Sequence, residues 1–159
     1  MNLDELKEKA KELNLYVNKL YNEKAEILLK NDLNEFIEKN KNHIRKKNDV
    51  YYYEDFAEIN IEQNTIEILI VKNLFLYNFE IDSDIKRGKI IEINGVPYSI
   101  NEINNEEHCY NIKRYIDDLE NSIGKLNSEG ISNYTYYFQK EDLRLSNFPE
   151  VWEKITHRN

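Results

Sequence analysis

The spacing of hydrophobic residues changes along the chain, and each spacing predicts a different element. In the first third, apolar residues recur every three to four positions, as on one side of an α-helix. The Asn2-x-x-Glu5 pattern indicates a capping box at its start. The stripe changes sides near Ile27, so the sequence allows one helix from Leu3 to about Lys47 or two helices that meet near Asn31. Its members are Leu6, Ala10, Leu13, Val17, Leu20, Ile27, Leu29, Leu33, Phe36, Ile37 and Ile44.

This N-terminal helical arm carries more apolar surface than a small sheet could cover. A continuous helix of ~45 residues would be ~65 Å long. We therefore expect three alternatives for the arm. It folds back as a helical hairpin, it packs on its own sheet, or it pairs with a second copy as a coiled coil.

After residue 49, apolar and polar positions alternate, which predicts β-strands. Asn94-Gly95 suits a type I′ turn, because both central residues of that turn need a positive φ. We interpret Val50 to Ile103 as one antiparallel meander. The predicted strands are Tyr51–Ile61, Thr65–Val71, Leu74–Ile81, Ile90–Ile93 and Val96–Ile100.

The last third returns to helical spacing. Asn104-x-x-Glu107 should open a helix with an apolar seam, Ile131–Phe138 should form a strand, and Asn147-x-x-Glu150 should start a short final helix. The seam residues are Ile112, Ile116, Leu119, Ile123 and Leu126.

These elements predict an α+β fold. We expect a mainly antiparallel sheet of four to six strands with the Asn104–Asn127 helix packed on one face, preceded by the long helix or helical hairpin. At 159 residues the chain is expected to be a single domain, residues 1–159, with an arm at 1–48 and a body at 50–159.

The formal net charge of −8 is distributed unevenly. Residues 1–49 have ten acids and eleven bases, residues 50–105 have ten acids and four bases, and residues 106–159 have ten acids and seven bases. The predicted sheet thus has a net charge of −6, which favours basic partners and disfavours nucleic acid. The dense basic cluster, His43–Lys47, is expected at a helix C-terminus, where it would complement the helix dipole or contact phosphate.

No motif predicts catalysis, a cofactor or a metal site. The three histidines lack partners at metal-ligand spacing, and the adjacent side chains of His108 and Cys109 would diverge by about 100° on a helix. Cys109 is the single cysteine, which we interpret as a buried thiol in a reducing compartment. No apolar run reaches the ~20 residues of a membrane span, and no signal peptide is recognisable, so we expect a cytoplasmic protein.

Tyrosines and carboxylates of the predicted sheet are the candidate binding residues. Tyrosine adds large contact area at low entropic cost, and acids would suit a basic partner. Glu62 and Glu67 lie nearby, and Tyr134, Tyr136 and Tyr137 with Glu141 and Asp142 form a second candidate patch. An ordinary solvated sheet face would have the same kinds of residue. A/T-rich codons also favour tyrosine, so the number of tyrosines alone does not indicate binding. The predicted partner-binding residues are Tyr51, Tyr52, Tyr53, Glu54, Asp55 and Glu58.

We therefore expect a non-enzymatic protein-binding module. Its most specific form is a small acidic inhibitor or immunity-type protein that masks a basic, nucleic-acid-binding site on a partner. Small size and A/T-rich codons suit a phage or another mobile element. The alternatives are an assembly protein that forms a homodimer through its N-terminal helices, and a nucleic-acid-binding protein that uses the basic helix end.

Overall fold

A computed structural model describes all residues, Met1–Asn159, and confirms the α+β class. The chain forms two compact units. The first contains Met1–Tyr21 and Ile85–Ser132, and the second contains Asn22–Asp84 and Asn133–Asn159. The three α-helices are α1 (Leu3–Lys39), α2 (Cys109–Ser128) and α3 (Phe148–Arg158).

Helix α1 contributes to both units and is one continuous helix, so the two-helix alternative is wrong. The Asn2 side chain accepts a hydrogen bond from the Glu5 N–H at 2.9 Å, as the capping pattern predicts. The buried stripe does not change sides, because it continues through Tyr21 and Ala25, whereas Ile27 is 55% exposed. Its buried members are Leu3, Leu6, Ala10, Val17, Tyr21, Ala25, Leu29, Leu33 and Phe36.

The large sheet of the second unit has seven antiparallel strands, where we expected four to six. The additional strands are short edge strands on each side, one of which lies in the segment predicted as the end of the long helix. In their order across the sheet, the strands are β1 (Ile44–Lys47), β2 (Val50–Tyr53), β3 (Ala57–Glu62), β4 (Thr65–Ile70), β5 (Phe75–Ser83), β8 (Tyr134–Phe138) and β9 (Leu143–Leu145).

The predicted strand Tyr51–Ile61 is two strands, because a turn separates β2 from β3. Glu54 has a φ of 47°, and the Phe56 N–H donates to the Tyr53 carbonyl at 3.0 Å. This turn reverses the chain, so β2 and β3 pair antiparallel with Tyr52 opposite Glu58.

One face of the large sheet is covered by the C-terminal half of α1 and by α3. The Phe36 ring of α1 meets the Phe148 ring of α3 edge-on at 5.0 Å. Asn147 caps α3 by accepting the Glu150 N–H at 2.9 Å, as predicted. The completely buried residues of this sheet face include Ile59, Ile66, Ile68, Ile70, Phe79, Ile81 and Tyr136.

In the first unit, α2 packs with the start of α1 and with a hairpin of β6 (Ile91–Ile93) and β7 (Val96–Tyr98). The turn is formed by Asn94 and Gly95 with φ angles of 53° and 79°, as the type I′ prediction requires. The hairpin forms its own two-stranded sheet, so the continuous meander predicted to Ile103 is wrong. The helices on the large sheet are α1 and α3, whereas α2 packs on Ile91, Ile93 and Ile103.

Candidate binding surface

The second face of the large sheet presents carboxylates on its three middle strands. Residues that alternate with the buried ones on β3, β4 and β5 point away from α1 and α3, and all of them are half-buried or exposed. These strands place five acids and no base on that side. We call this surface the acidic face and define it by Glu58, Glu62, Glu67, Glu80 and Asp82.

Glu67 lies at the centre of the acidic face. The strand registers pair Glu67 with Asn60 on β3 and with Asn78 on β5. Glu58, Glu62 and Glu80 therefore occupy the diagonal positions next to it, where side chains are about 7–8 Å apart. No basic side chain lies within ion-pair distance of these four glutamates. Their like charges repel one another across an open sheet face.

Two arginines of this side lie on the edge strands of the large sheet, and each contacts a tyrosine. The Arg45 guanidinium lies 4.5 Å from the centre of the Tyr52 ring. The Arg144 guanidinium lies 4.2 Å from the Tyr137 ring and donates to Asp82 at 3.0 Å. Each end of the acidic face thus has an arginine stacked on a tyrosine, and Asp82 is its only ion-paired acid.

Of the six predicted binding residues, the structure brings Tyr52 and Glu58 together on this side. They are opposite each other across β2 and β3. Tyr51 and Tyr53 point to the other side of the sheet, because consecutive strand residues alternate. Tyr53 lies beside Trp152 at 4.8 Å and stacks with His43 at 5.6 Å.

Glu54 and Asp55 occupy the exposed turn between β2 and β3 rather than the sheet face. The Glu54 carboxylate lies 3.4 Å from His43 Nδ1. Sequence reasoning missed Glu80 and Asp82 as members of the same surface. Their alternation with Phe79 and Ile81, which are buried, was the signal that could have identified them.

The second predicted patch is also divided between the two sides of its strand. The Tyr134 and Tyr136 hydroxyls donate to Oδ2 of Asp32 on α1, at 2.9 and 2.6 Å. Burial, followed by this hydrogen bond, raises the pKa of Tyr134 to about 12 and raises that of Tyr136 further. Tyr137 lies on the opposite side, where its hydroxyl donates to Asp142 at 3.0 Å.

The basic cluster His43–Lys47 does not end a helix, so its predicted role at a helix dipole is wrong. Helix α1 ends eight residues earlier than expected, and Ile44–Lys47 form the edge strand β1. Arg45 and Lys46 contact the rings of Tyr52 and Tyr51. Charged side chains on an edge strand disfavour the addition of another strand.

Cys109 is half-buried beside the core of the first unit. His108 Nε2 lies 3.8 Å from the Glu107 carboxylate. The Glu107 N–H donates to the Asn105 side chain, so the cap lies one residue after Asn104, where it was predicted. No three His, Cys, Asp or Glu side chains form a group that could hold a metal ion.

None of the helices combines the length and the apolar character that crossing a membrane requires. No protein-family model matches the chain, and the searches among curated proteins and solved structures found no match either.

Proposed function

We propose that this protein is a non-enzymatic binding module that engages a basic protein partner through its acidic face. The observation that supports this proposal is a set of four glutamates without counter-ions, formed by Glu67 and the three that are diagonal to it. Like charges on neighbouring strands destabilise a free sheet. Lysine or arginine side chains of a partner would remove that repulsion on binding.

The surroundings of the acidic face suit a protein interface. Tyr52 and Tyr137 flank it and provide rigid contact area, and Leu69 and Leu76 provide apolar contact on the middle strands. Leu76 is 42% exposed. A surface with acids at its centre and arginine-stacked tyrosines at its ends is selective for a partner with a basic patch of matching width.

The more specific form of the proposal is inhibition. A carboxylate surface competes directly with phosphates for the same lysines and arginines. A partner that binds nucleic acid through a basic site would therefore lose that activity while the acidic face covers it.

Homodimerisation through α1 has less support, because the apolar stripe of that helix is buried within the chain. Nucleic-acid binding through the basic cluster also has less support, because Arg45 and Lys46 already contact tyrosine rings at one edge of the sheet.

A charge-neutral triple variant tests the proposal. The protein and the variant Glu58→Gln, Glu67→Gln, Glu80→Gln would be immobilised separately and exposed to a lysate of the native host. We expect a basic protein to be retained by the unmodified protein and lost from the variant. Calorimetry with the purified partner should then show affinity that falls as salt rises.

A second triple variant controls for net charge. Glu12, Glu23 and Glu129 are exposed and lie outside the large sheet, so replacing them with glutamine changes the charge equally without altering the acidic face. The control should retain the partner. Equal loss from both variants, or capture that is independent of salt, would contradict the proposal.

A further inference from the structure

A cavity of about 600 Å³ lies within the second unit, between the end of α1, the start of α3 and β8. This volume is within the range of small-molecule pockets, about 300–1,000 Å³. Its walls combine four aromatic rings with three carboxylates. The rings are those of Phe36, Tyr134, Phe148 and Trp152, and the carboxylates are those of Asp32, Glu35 and Glu153. Lys39 is the one basic residue of the lining, which therefore has a net charge of −2.

The aromatic walls are preformed by packing. The Phe36 ring lies 5.0 Å from both the Phe148 ring and the Trp152 ring. Trp152 also packs against Tyr53 at 4.8 Å and against Phe56 at 5.7 Å. Ring faces attract a cation within about 6 Å, and tryptophan does so most strongly.

Asp32 is held in a defined orientation in this lining. The hydroxyls of Tyr134 and Tyr136 both donate to the same carboxylate oxygen, Oδ2, which fixes the plane of the carboxylate. Both hydroxyls are protonated donors at neutral pH, because the ordinary pKa of tyrosine is about 10 and burial raises it further at both residues. The carboxylate is thus positioned before a ligand arrives, which lowers the entropic cost of binding.

We propose that this cavity binds a small organic cation, with an amidinium, guanidinium or ammonium head on an apolar body. The head would be held by Asp32 and the carboxylates at the rim, and the body would pack on Trp152 and Phe36. An anion would be repelled, and a neutral analogue would lose the charged contacts. The cavity lies on the helix-covered side of the sheet, so this inference is independent of the acidic face.

Three probes with one ring and different charge test the inference on the unmodified protein. They are benzamidine, benzamide and benzoate, with charges of +1, 0 and −1. Trp152 is the only tryptophan, so its indole N–H gives a single reporter resonance in an NMR titration. We expect benzamidine to shift this resonance to saturation. Benzamide and benzoate should bind about tenfold more weakly, or weaker still. Equal binding of benzamidine and benzamide, or no saturable shift, would overturn the inference.

Single substitutions then identify which carboxylates bind the cationic head. Asp32→Asn should weaken benzamidine binding about tenfold while leaving benzamide binding unchanged. Glu35→Gln removes an exposed rim charge with little effect on folding and should weaken benzamidine binding severalfold. Glu23→Gln, on the same helix but outside the cavity, is the control and should bind as the unmodified protein does. Unchanged benzamidine affinity in both Asp32→Asn and Glu35→Gln would contradict the assignment of the head group.

Discussion

Tyr136 donates its hydroxyl proton to Oδ2 of Asp32 at 2.6 Å, across 104 positions of the chain. The Tyr136 ring is completely buried, and the bond ties strand β8 to helix α1. Few hydrogen bonds of the second unit join a donor to a charged acceptor so far away in the sequence. The pair therefore links the helix layer to the sheet.

Tyr136→Phe should destabilise the protein because it removes a buried donor to a carboxylate without changing the ring. We expect the free energy of unfolding in urea to fall by roughly 1.5–3 kcal/mol. Tyr137→Phe is the matched control, since its hydroxyl donates to Asp142 on the exposed side. It should change the free energy of unfolding by less than about 0.5 kcal/mol. A loss of less than about 0.5 kcal/mol in Tyr136→Phe as well would show that the Asp32 contact adds no stability.

Stability should also fall at alkaline pH through the same residue. Burial and Asp32 raise the pKa of Tyr136 above the ordinary value of 10.0, so the folded state keeps a proton that the unfolded chain loses. This contribution is complete below pH 10 and is lost as pH rises above it, at about 1.4 kcal/mol per pH unit. Urea titrations from neutral to alkaline pH should show the difference between the protein and Tyr136→Phe shrinking. A constant difference would contradict this linkage.

Repulsion at the centre of the acidic face makes a third prediction. Glu67→Gln removes the charge that is diagonal to three glutamates and should raise the free energy of unfolding by roughly 0.5–1 kcal/mol at low salt. The gain should vanish near 1 M salt, where the Debye length is about 3 Å. Glu23→Gln on α1 should show no such gain. A salt-independent gain would mean that Glu67 acts through packing or propensity rather than charge.

Local patterns in the sequence predicted the elements well where one residue type decides the geometry. Asn2 and Asn147 cap their helices, and Asn94-Gly95 forms its turn, because each depends only on neighbours in the chain. The end of α1 was missed because Ile44 continues the helical spacing, whereas β1 is stabilised by pairing with β2. That pairing is a tertiary contact, which periodicity does not contain.

The sequence predicted only part of the candidate surface, because tertiary contacts determine the rest. Composition indicated tyrosines and acids near residue 52, and Tyr52 and Glu58 do share a side of the sheet. The side of a sheet on which a residue lies depends on where its strand begins and ends. The sequence did not reveal the turn at Glu54, and so Glu54 and Asp55 lie in that turn instead of on the sheet face. The grouping of Glu67 with Glu80 depends on the register of β4 with β5. Register is determined by the buried face, and was visible only once that face was known.

The position of the α1 stripe gives a fourth prediction. Leu29 is completely buried, so Leu29→Ala should lower the free energy of unfolding by roughly 2–5 kcal/mol. Ile27 is 55% exposed, and Ile27→Ala should cost less than about 1 kcal/mol. Both changes leave an alanine in the same helix, so helix propensity does not separate them. Comparable losses in urea denaturation would mean that the stripe changes sides near Ile27.

Gly88 gives the last prediction, in the first unit. Its φ is +66°, and its carbonyl accepts a hydrogen bond from the Asn14 side chain. A Cβ at this position would lie 2.6 Å from Cδ2 of Leu119 and 2.8 Å from the Tyr115 hydroxyl oxygen. Gly88→Ala therefore combines backbone strain with a clash against α2, and should lower the free energy of unfolding by roughly 2–4 kcal/mol.

Gly95→Ala separates the clash from the strain. Gly95 also has a positive φ, +79°, but no atom lies within 4 Å of an added Cβ. Its substitution should therefore cost only the backbone strain, about 1–2 kcal/mol. Thermal and urea unfolding of both variants would measure the difference. If Gly88→Ala costs no more than Gly95→Ala, the loop does not approach Leu119 closely, and the packing of α2 against residue 88 must be looser than the structure shows.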